Sequence, residues 1–380
     1  MQASTSAFAM TPESIPVNAP LITQAAREYV NQTLEAGWLS AAGPMVERFE
    51  RAFALAIGVR HAVSCNSGTS ALHLALAALG IGPGDEVIVP DFTMIASACA
   101  VLYTGATPVF VDVEADICTL DPNLVAAATT PRTRAILAVH IYGHSADMDA
   151  LAALADARGL WLVEDAAEAH GARYRGRSCG ALGDIAAFSF YGNKIISTGE
   201  GGMLTTDDDN LAARARSLRD MAHRPGQRFA HDELGYSYRM GSLAAAVGLG
   251  QLQHLDEFLA HKRWMAAAYR ERLGAVNGLT LPVERAWAQS VHWMYAVRVG
   301  TESPLTRDEL RATLAGQGIE TRDFFSSCAR QPLITQRLGT QPACPVSEQL
   351  AATGLYLPSG LALTPTQLDQ VCEAIHAAFA

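Results

Sequence analysis

Between about residues 60 and 210, short apolar runs alternate with runs of helical spacing. No other feature narrows the possible folds as far. Val87 to Val89, Pro108 to Val113, Ala135 to Ile141, Leu160 to Glu164, Ile185 to Phe190 and Met203 to Thr206 read as strands. Ala71 to Leu79 and Met148 to Ala157 read as helices. The strand runs are apolar almost throughout, as strands covered on both faces are. Alternating β and α segments predict an α/β fold: a mostly parallel central sheet with helices on both faces. Ahead of it, Ile15 to Pro20 reads as an extended arm because of its prolines, and Phe49 to Ile57 as a helix. Behind it, Ser242 to Leu273 reads as one long linking helix. After Asn277-Gly278 a strand over Tyr295 to Val299 and helices over Arg307 to Gln317 and Gln367 to Phe379 are segregated, which suits a smaller α+β C-terminal domain. The expected division is residues 1–260 for arm and large domain and 261–380 for the small one, two domains being ordinary for 380 residues.

Several classes of function fall away on composition. A net charge of −10 argues against a nucleic-acid partner, which demands a basic face. No run of about 20 apolar residues is present to form a membrane span. The first basic residue is Arg27, so no secretory leader is expected. The seven cysteines stand at least 16 positions apart, which excludes a CxxC pair and reads as reduced core thiols in a cytoplasmic protein. Charged residues make up 17%, against about 25% in an ordinary domain, which points to surface covered by a second copy of the chain.

Three segments carry residues suited to chemistry. Asn66-Ser67-Gly68-Thr69-Ser70 precedes an apolar helix; small residues at a helix start leave N–H groups open to an anion, or simply cap the helix. Glu164-Asp165-Ala166-Ala167-Glu168-Ala169-His170 ends a hydrophobic strand, where open α/β sheets bind ligands. Asp165 there suits a cationic ring nitrogen or an N-cap. A metal site on Glu164, Asp165, Glu168 and His170 is disfavoured because no outside ligand joins them, and no metal is expected. Ser189 to Lys194 ends the next strand. Only two lysines occur: Lys262, in His261-Lys262-Arg263 on a helix, reads as a surface charge, whereas Lys194, between glycines and aromatics, suits a partly desolvated amine of the kind that forms Schiff bases. His140 and His144 flank a glycine after a strand and read as loop structure, and Met94 on its own reads as core. An anion cradle, then a carboxylate, then an amine, each after a strand, is the set that pyridoxal phosphate requires.

The chain resembles the DegT/DnrJ/EryC1/StrS sugar aminotransferases. The resemblance is carried by Gly37 to Ser40, Asn66 to Leu72, Gly84 to Pro90, Glu164 to Ala169, Phe188 to Phe190 with Gly192 to Lys194, Gly199 to Gly202, Gly235 to Met240 and Gly318 to Arg322. Within that family it is most similar to the perosamine synthases, which aminate C4 of a GDP-linked 4-keto-6-deoxymannose with glutamate. The resemblance implies a fold type I aminotransferase that binds pyridoxal 5'-phosphate, uses glutamate and a nucleotide-sugar, and forms a homodimer with shared active sites. It implies Lys194 as the covalent attachment point, Asp165 at the pyridinium nitrogen, Gly68, Thr69 and Ser189 at the phosphate and Glu168 on the ring-hydroxyl side. Ser237 falls where a neighbouring subunit commonly offers Asn to the phosphate, and Met94 where many members stack an aromatic ring; a thioether can also cover a π-face. Ketosugar dehydratases of the same fold are implied to carry histidine in place of the lysine, so Lys194 argues against that rival. A non-enzymatic regulator is a poor fit to an acidic chain without a basic recognition helix.

Overall fold

Seven strands form the central sheet, and the apolar runs of the sequence supply six of them. The structure is a computed structural model that describes residues 14–380; the start of the expected arm lies outside the described residues. The strands are β1 (His61–Cys65), β2 (Glu86–Pro90), β3 (Thr107–Val111), β4 (Thr133–Val139), β5 (Trp161–Asp165), β6 (Ile185–Ser189) and β7 (Gly202–Thr206). Their spatial order is β1-β7-β6-β5-β4-β2-β3. The pairs from β3 to β6 are parallel, and β7 runs antiparallel to both its neighbours. The α/β class and the mostly parallel sheet are therefore as the sequence predicts. The sequence reading did not single out β1, whose five residues include His61 and Ser64.

Helices α1 (Gln24–Ala36), α2 (Pro44–Ile57), α3 (Gly68–Ala78), α4 (Ala96–Tyr103), α5 (Pro122–Ala128), α6 (Met148–Arg158) and α7 (Asp209–Arg219) accompany the sheet. Of these, α1 went unread because Ala26 and Thr33 are the residues it buries, too few for a clear apolar stripe. The main core joins helices to sheet through aromatic rings: Phe53 meets Phe188 edge-on at 5.0 Å, and Phe49 meets Phe190 at 5.2 Å.

The expected single linking helix is two helices, α8 (Ser242–Leu252) and α9 (Leu255–Leu273), broken at Gln253-His254. The two halves serve different partners. Buried Gln251 near the end of α8 accepts the Ser197 N–H at 2.9 Å, and α8 lies so close to α1 that a Cβ on Gly250 would stand 2.3 Å from the Ala26 nitrogen. By contrast, α9 runs from Phe258 and Leu259 in the main core to Met265, Tyr269 and Leu273 in a second core. Residue 260 lies inside α9. The second core sits on a four-stranded antiparallel sheet, in the order Leu279–Thr280, Tyr295–Val299, Gly354–Leu357, Arg322–Asp323. The helices Arg307–Ala315 and Pro365–Phe379 belong to the same region. Of the arm, Ile15 bridges to Ile319 there.

Lys262 corrects the sequence reading. It is not a surface charge: on α9 it is 1% exposed, and its Nζ donates to the Trp293 carbonyl at 2.9 Å and to that of Ser359. Two carbonyls from distant loops give its donors the partners that water would otherwise supply. All seven cysteines are free, and all but Cys99 are buried.

Candidate active site

The carboxyl ends of β4, β5 and β6 are held level by register: Val139 faces Asp165, and Asp165 faces Ala187. Each strand therefore delivers its following residues to one edge of the sheet, where open α/β folds bind ligands. A cleft of about 360 Å³ opens there. Gly68, Thr69, Met94, Asp165, Glu168, Ser189 and Lys194 all line it. Ser237 does not; it is exposed, bridges to Asp220, and its hydroxyl accepts from Arg239 Nη2 at 2.9 Å.

On one wall, β1 turns through Asn66 into α3. Ser67 caps the helix in a reciprocal box with Ser70: each side chain accepts the other's N–H, at 3.1 and 3.0 Å. The N–H groups of Gly68 and Thr69 belong to the first helical turn, which has no intrahelical partner for them. Gly68 lies against Ser189; a Cβ there would stand 2.6 Å from the Ser189 Cβ, so only glycine permits the contact. The result is a helix N-terminus beside a serine hydroxyl, an anion site by backbone dipole and by donors.

The opposite wall holds the charges. Asp165 is 5% exposed, accepts from Ser97 Oγ at 2.7 Å and from the Ala167 N–H at 3.1 Å, and burial raises its carboxyl above the ordinary range against these bonds and the nearby Lys194. Glu168 is likewise raised by burial, opposed by Lys194 and by the Tyr142 N–H that it accepts at 2.7 Å. Lys194 Nζ lies 3.4 Å from Glu168 Oε1 and 3.9 Å from the centroid of the Trp293 ring. Its side chain is 11% exposed, so the amine is nearly withdrawn from water. The Asn193 carbonyl before it accepts from the Trp293 indole and from Asn18 Nδ2, both at 2.7 Å.

Behind these groups His140 and Glu164 form a buried brace, their side chains sharing a 2.8 Å hydrogen bond. The His140 Nδ1 accepts the Ala146 N–H at 3.1 Å, so the ring donates to Glu164 from Nε2. Glu164 also takes the N–H groups of Gly180, Leu182 and Gly183. His144 shares a hydrogen bond with the Ser145 carbonyl and accepts the Arg285 N–H. Both histidines thus serve loop structure. Met94 is 50% exposed on the cleft wall, so it is not core.

Sequence reasoning missed Ser97, Tyr142, Trp293 and Arg322. Ser97 sits in the apolar run of α4, and nothing local marks it as the partner of Asp165. Trp293 lies in the loop just before the strand Tyr295–Val299, where nothing local gives it a role. Arg322 closes the cleft from the small sheet.

A family model described as the DegT/DnrJ/EryC1/StrS aminotransferase family matches residues 20–376. GDP-perosamine synthase of Caulobacter vibrioides is 45% identical over 366 residues, covering 95% of this chain and 97% of that protein. The dTDP-3-amino-3,4,6-trideoxy-alpha-D-glucose transaminase of Streptomyces venezuelae is 46% identical over 336 residues, covering 88% and 87%. Among solved structures, that of S. venezuelae DesV in complex with a ketimine intermediate matches with a TM-score of 0.87 at 43% identity, covering 93% of each chain.

Proposed function

The chain belongs to the DegT/DnrJ/EryC1/StrS aminotransferase family, and from that premise we infer that it moves the amino group of glutamate to C4 of GDP-4-keto-6-deoxymannose, using pyridoxal 5'-phosphate, in a homodimer with shared active sites. The observation that carries the reading is the cleft in which a buried carboxylate, a nearly buried amine and a helix N-terminus converge. The residues fit the cofactor. Asp165 is buried and no cation among the described residues bonds it, so a protonated ring nitrogen answers the charge that burial disfavours. The hollow at Gly68, which a Cβ would fill, and the Ser189 hydroxyl beside it suit a phosphate.

When bound, the cofactor supplies an aldehyde that carries nitrogen and a ring that withdraws electrons from the donor's α-carbon. Lys194 is the attachment point and then, once freed, the base and acid that moves the α-proton. Asp165 keeps the proton on the ring nitrogen, and the Ser97 hydroxyl and Ala167 N–H orient Asp165. Glu168 accepts the Lys194 ammonium and stands on the ring-hydroxyl side. Gly68, Thr69 and Ser189 hold the phosphate, with Ser237 reaching it from the second subunit, and Met94 covers the ring. Two half-reactions through one site give ping-pong kinetics.

The GDP-perosamine synthase from Caulobacter supports the choice of sugar, because it matches over nearly the whole of both chains. The Streptomyces transaminase, 46% identical over a shorter span, favours a dTDP-linked ketosugar as the second reading. Turnover of the aminated enzyme against GDP-, dTDP- and UDP-linked ketosugars decides between them: fastest turnover is expected with the GDP-linked 4-keto sugar, and a clear preference for another nucleotide overturns that substrate.

A further inference from the structure

The second lysine is used by none of these steps, yet it is among the most deeply buried polar groups of the chain. Lys262 carries three donors and no acceptor, and burying them costs free energy that an unbranched apolar side chain avoids. Burial draws its ammonium down to about 7. Its amine bridges two backbone carbonyls that lie 66 positions apart, those of Trp293 and Ser359. We propose that Lys262 is a positioning residue for the reaction: by holding the Trp293 carbonyl, it sets the indole against the Lys194 amine and against the peptide before it. This rests on Lys194 being the reactive amine.

The turn that Lys262 holds is strained. His292, just before Trp293, has φ +45°, and Tyr142 across from it has φ +53°. Such backbone persists only where the surroundings over-determine it. On one side the Trp293 N–H donates to the Tyr142 carbonyl at 3.0 Å, and the Val291 N–H to that of Gly143 at 3.1 Å. On the other side stands Lys262. Ser359 continues the clamp, its hydroxyl accepting the Tyr295 N–H at 2.8 Å. The indole that emerges is 3% exposed. Its N–H meets the Asn193 carbonyl at 2.7 Å, and its face lies 3.9 Å from Lys194 Nζ. A cation over an indole face is held only while ring and amine keep that distance. The connection from Lys262 to Lys194 thus runs through one residue, Trp293, with a hydrogen bond at the Lys262 end and a cation–π contact at the Lys194 end.

A chain with two lysines makes this measurable. Lysine labelled with 13C and 15N gives two side-chain signals, which Lys194→Ala assigns. In cofactor-free protein, the Lys194 ε-methylene protons are expected upfield, under the indole. Lys262→Met keeps an unbranched chain, one heavy atom shorter, and removes the donors. It is expected to lose that upfield shift and to lower kcat about 10- to 100-fold, with the KM for glutamate within about twofold, because a displaced base slows the chemistry more than binding. Either readout staying at its wild-type value overturns the proposal. If Lys262→Met is not recovered folded, Lys262→Gln, whose amide is too short to reach both carbonyls, replaces it under the same readings. Full activity of Lys194→Ala overturns the assignment of the amine instead, a result that the Lys262 measurements do not mimic.

Discussion

Asp165 is nearly withdrawn from water, no cation among the described residues bonds it, and its hydrogen bonds come from one hydroxyl and one N–H. Replacing it with Asn keeps shape and bonding capacity but cannot hold a cationic ring nitrogen. Asp165→Asn is expected to fold and to lose at least about a hundredfold in kcat; near-wild-type turnover would reduce Asp165 to a turn cap. Lys194→Ala is expected to bind the cofactor without a covalent bond and to lose about three orders of magnitude or more. Absorbance before and after borohydride, with turnover, checks both parts. Two histidines outside the chemistry weaken the fold in acid. Burial holds His170, packed between Phe188 and Phe190, down to about 3, and His144 down to about 4. Both folded values lie below the ordinary 6.5, so in acid the unfolded chain binds protons that the folded one refuses. Their contribution is whole above pH 6.5 and fades as the pH falls toward 4 and 3. Each costs about 1.4 kcal/mol of stability per pH unit inside its window. His170→Phe is expected to flatten the acid limb of thermal stability by one such slope; an unchanged limb counts against a neutral His170.

The junction of β1, α3 and β6 joins backbone geometry to binding, and it shows what a sequence makes legible. Gly68→Ala places a methyl 2.6 Å from the Ser189 Cβ, so strand or helix start must shift. Cofactor affinity, measured by absorbance titration, is expected to fall at least about tenfold, with helix content by circular dichroism unchanged, because a shift of this size misplaces the phosphate donors. Affinity like that of the wild type would move the phosphate elsewhere. The sheet was legible because strands buried on both faces are written as unbroken apolar runs. The direction of β7 was not, since Met203 to Thr206 looks the same run either way; its reversal goes with the twelve residues after β6, which form no helix of the kind a parallel crossover uses. Gly202 lets β7 pass where a Cβ would stand 2.2 Å from the Ser67 carbonyl oxygen. The break after α8 was hidden because apolar spacing continues through Leu252 and Leu255, and the choice of different neighbours is tertiary. The same reason divides the site. Gly68, Asp165 and Lys194 stand at or just beyond a strand's carboxyl end and show themselves by residue type. Ser97, Trp293 and Lys262 take their roles from partners 68, 100 and 31 positions away.

Assembly decides whether one chain holds a whole site, and the surface bears on this in two places. Along α1 and the turn after it, Ile22, Leu34, Trp38 and Leu39 are 44 to 53% exposed, a row of large apolar side chains on a molecule with few charges. Ser237 is absent from the lining of its own cleft and exposed beside Arg239 and Asp220. Both facts fit the shared homodimer inferred above, in which Ser237 of one protomer reaches the phosphate held by Gly68, Thr69 and Ser189 of its partner. An interface that covers such a row and completes a cleft is expected to bury more than about 2,000 Å² in total. Co-expression of Lys194→Ala with Ser237→Arg subunits tests it. Each homodimer carries one lesion in every site and is expected to be inactive. In the heterodimer, a shared site lets the Ser237→Arg chain keep its own lysine and receive an intact Ser237 from the other chain, while the second site carries both lesions. Activity is then expected to return to about half that of the wild type per heterodimer, since one of two equal sites is whole. Heterodimers proven by mass that stay inactive, or a monomer active at low concentration, would show that each chain closes its own site.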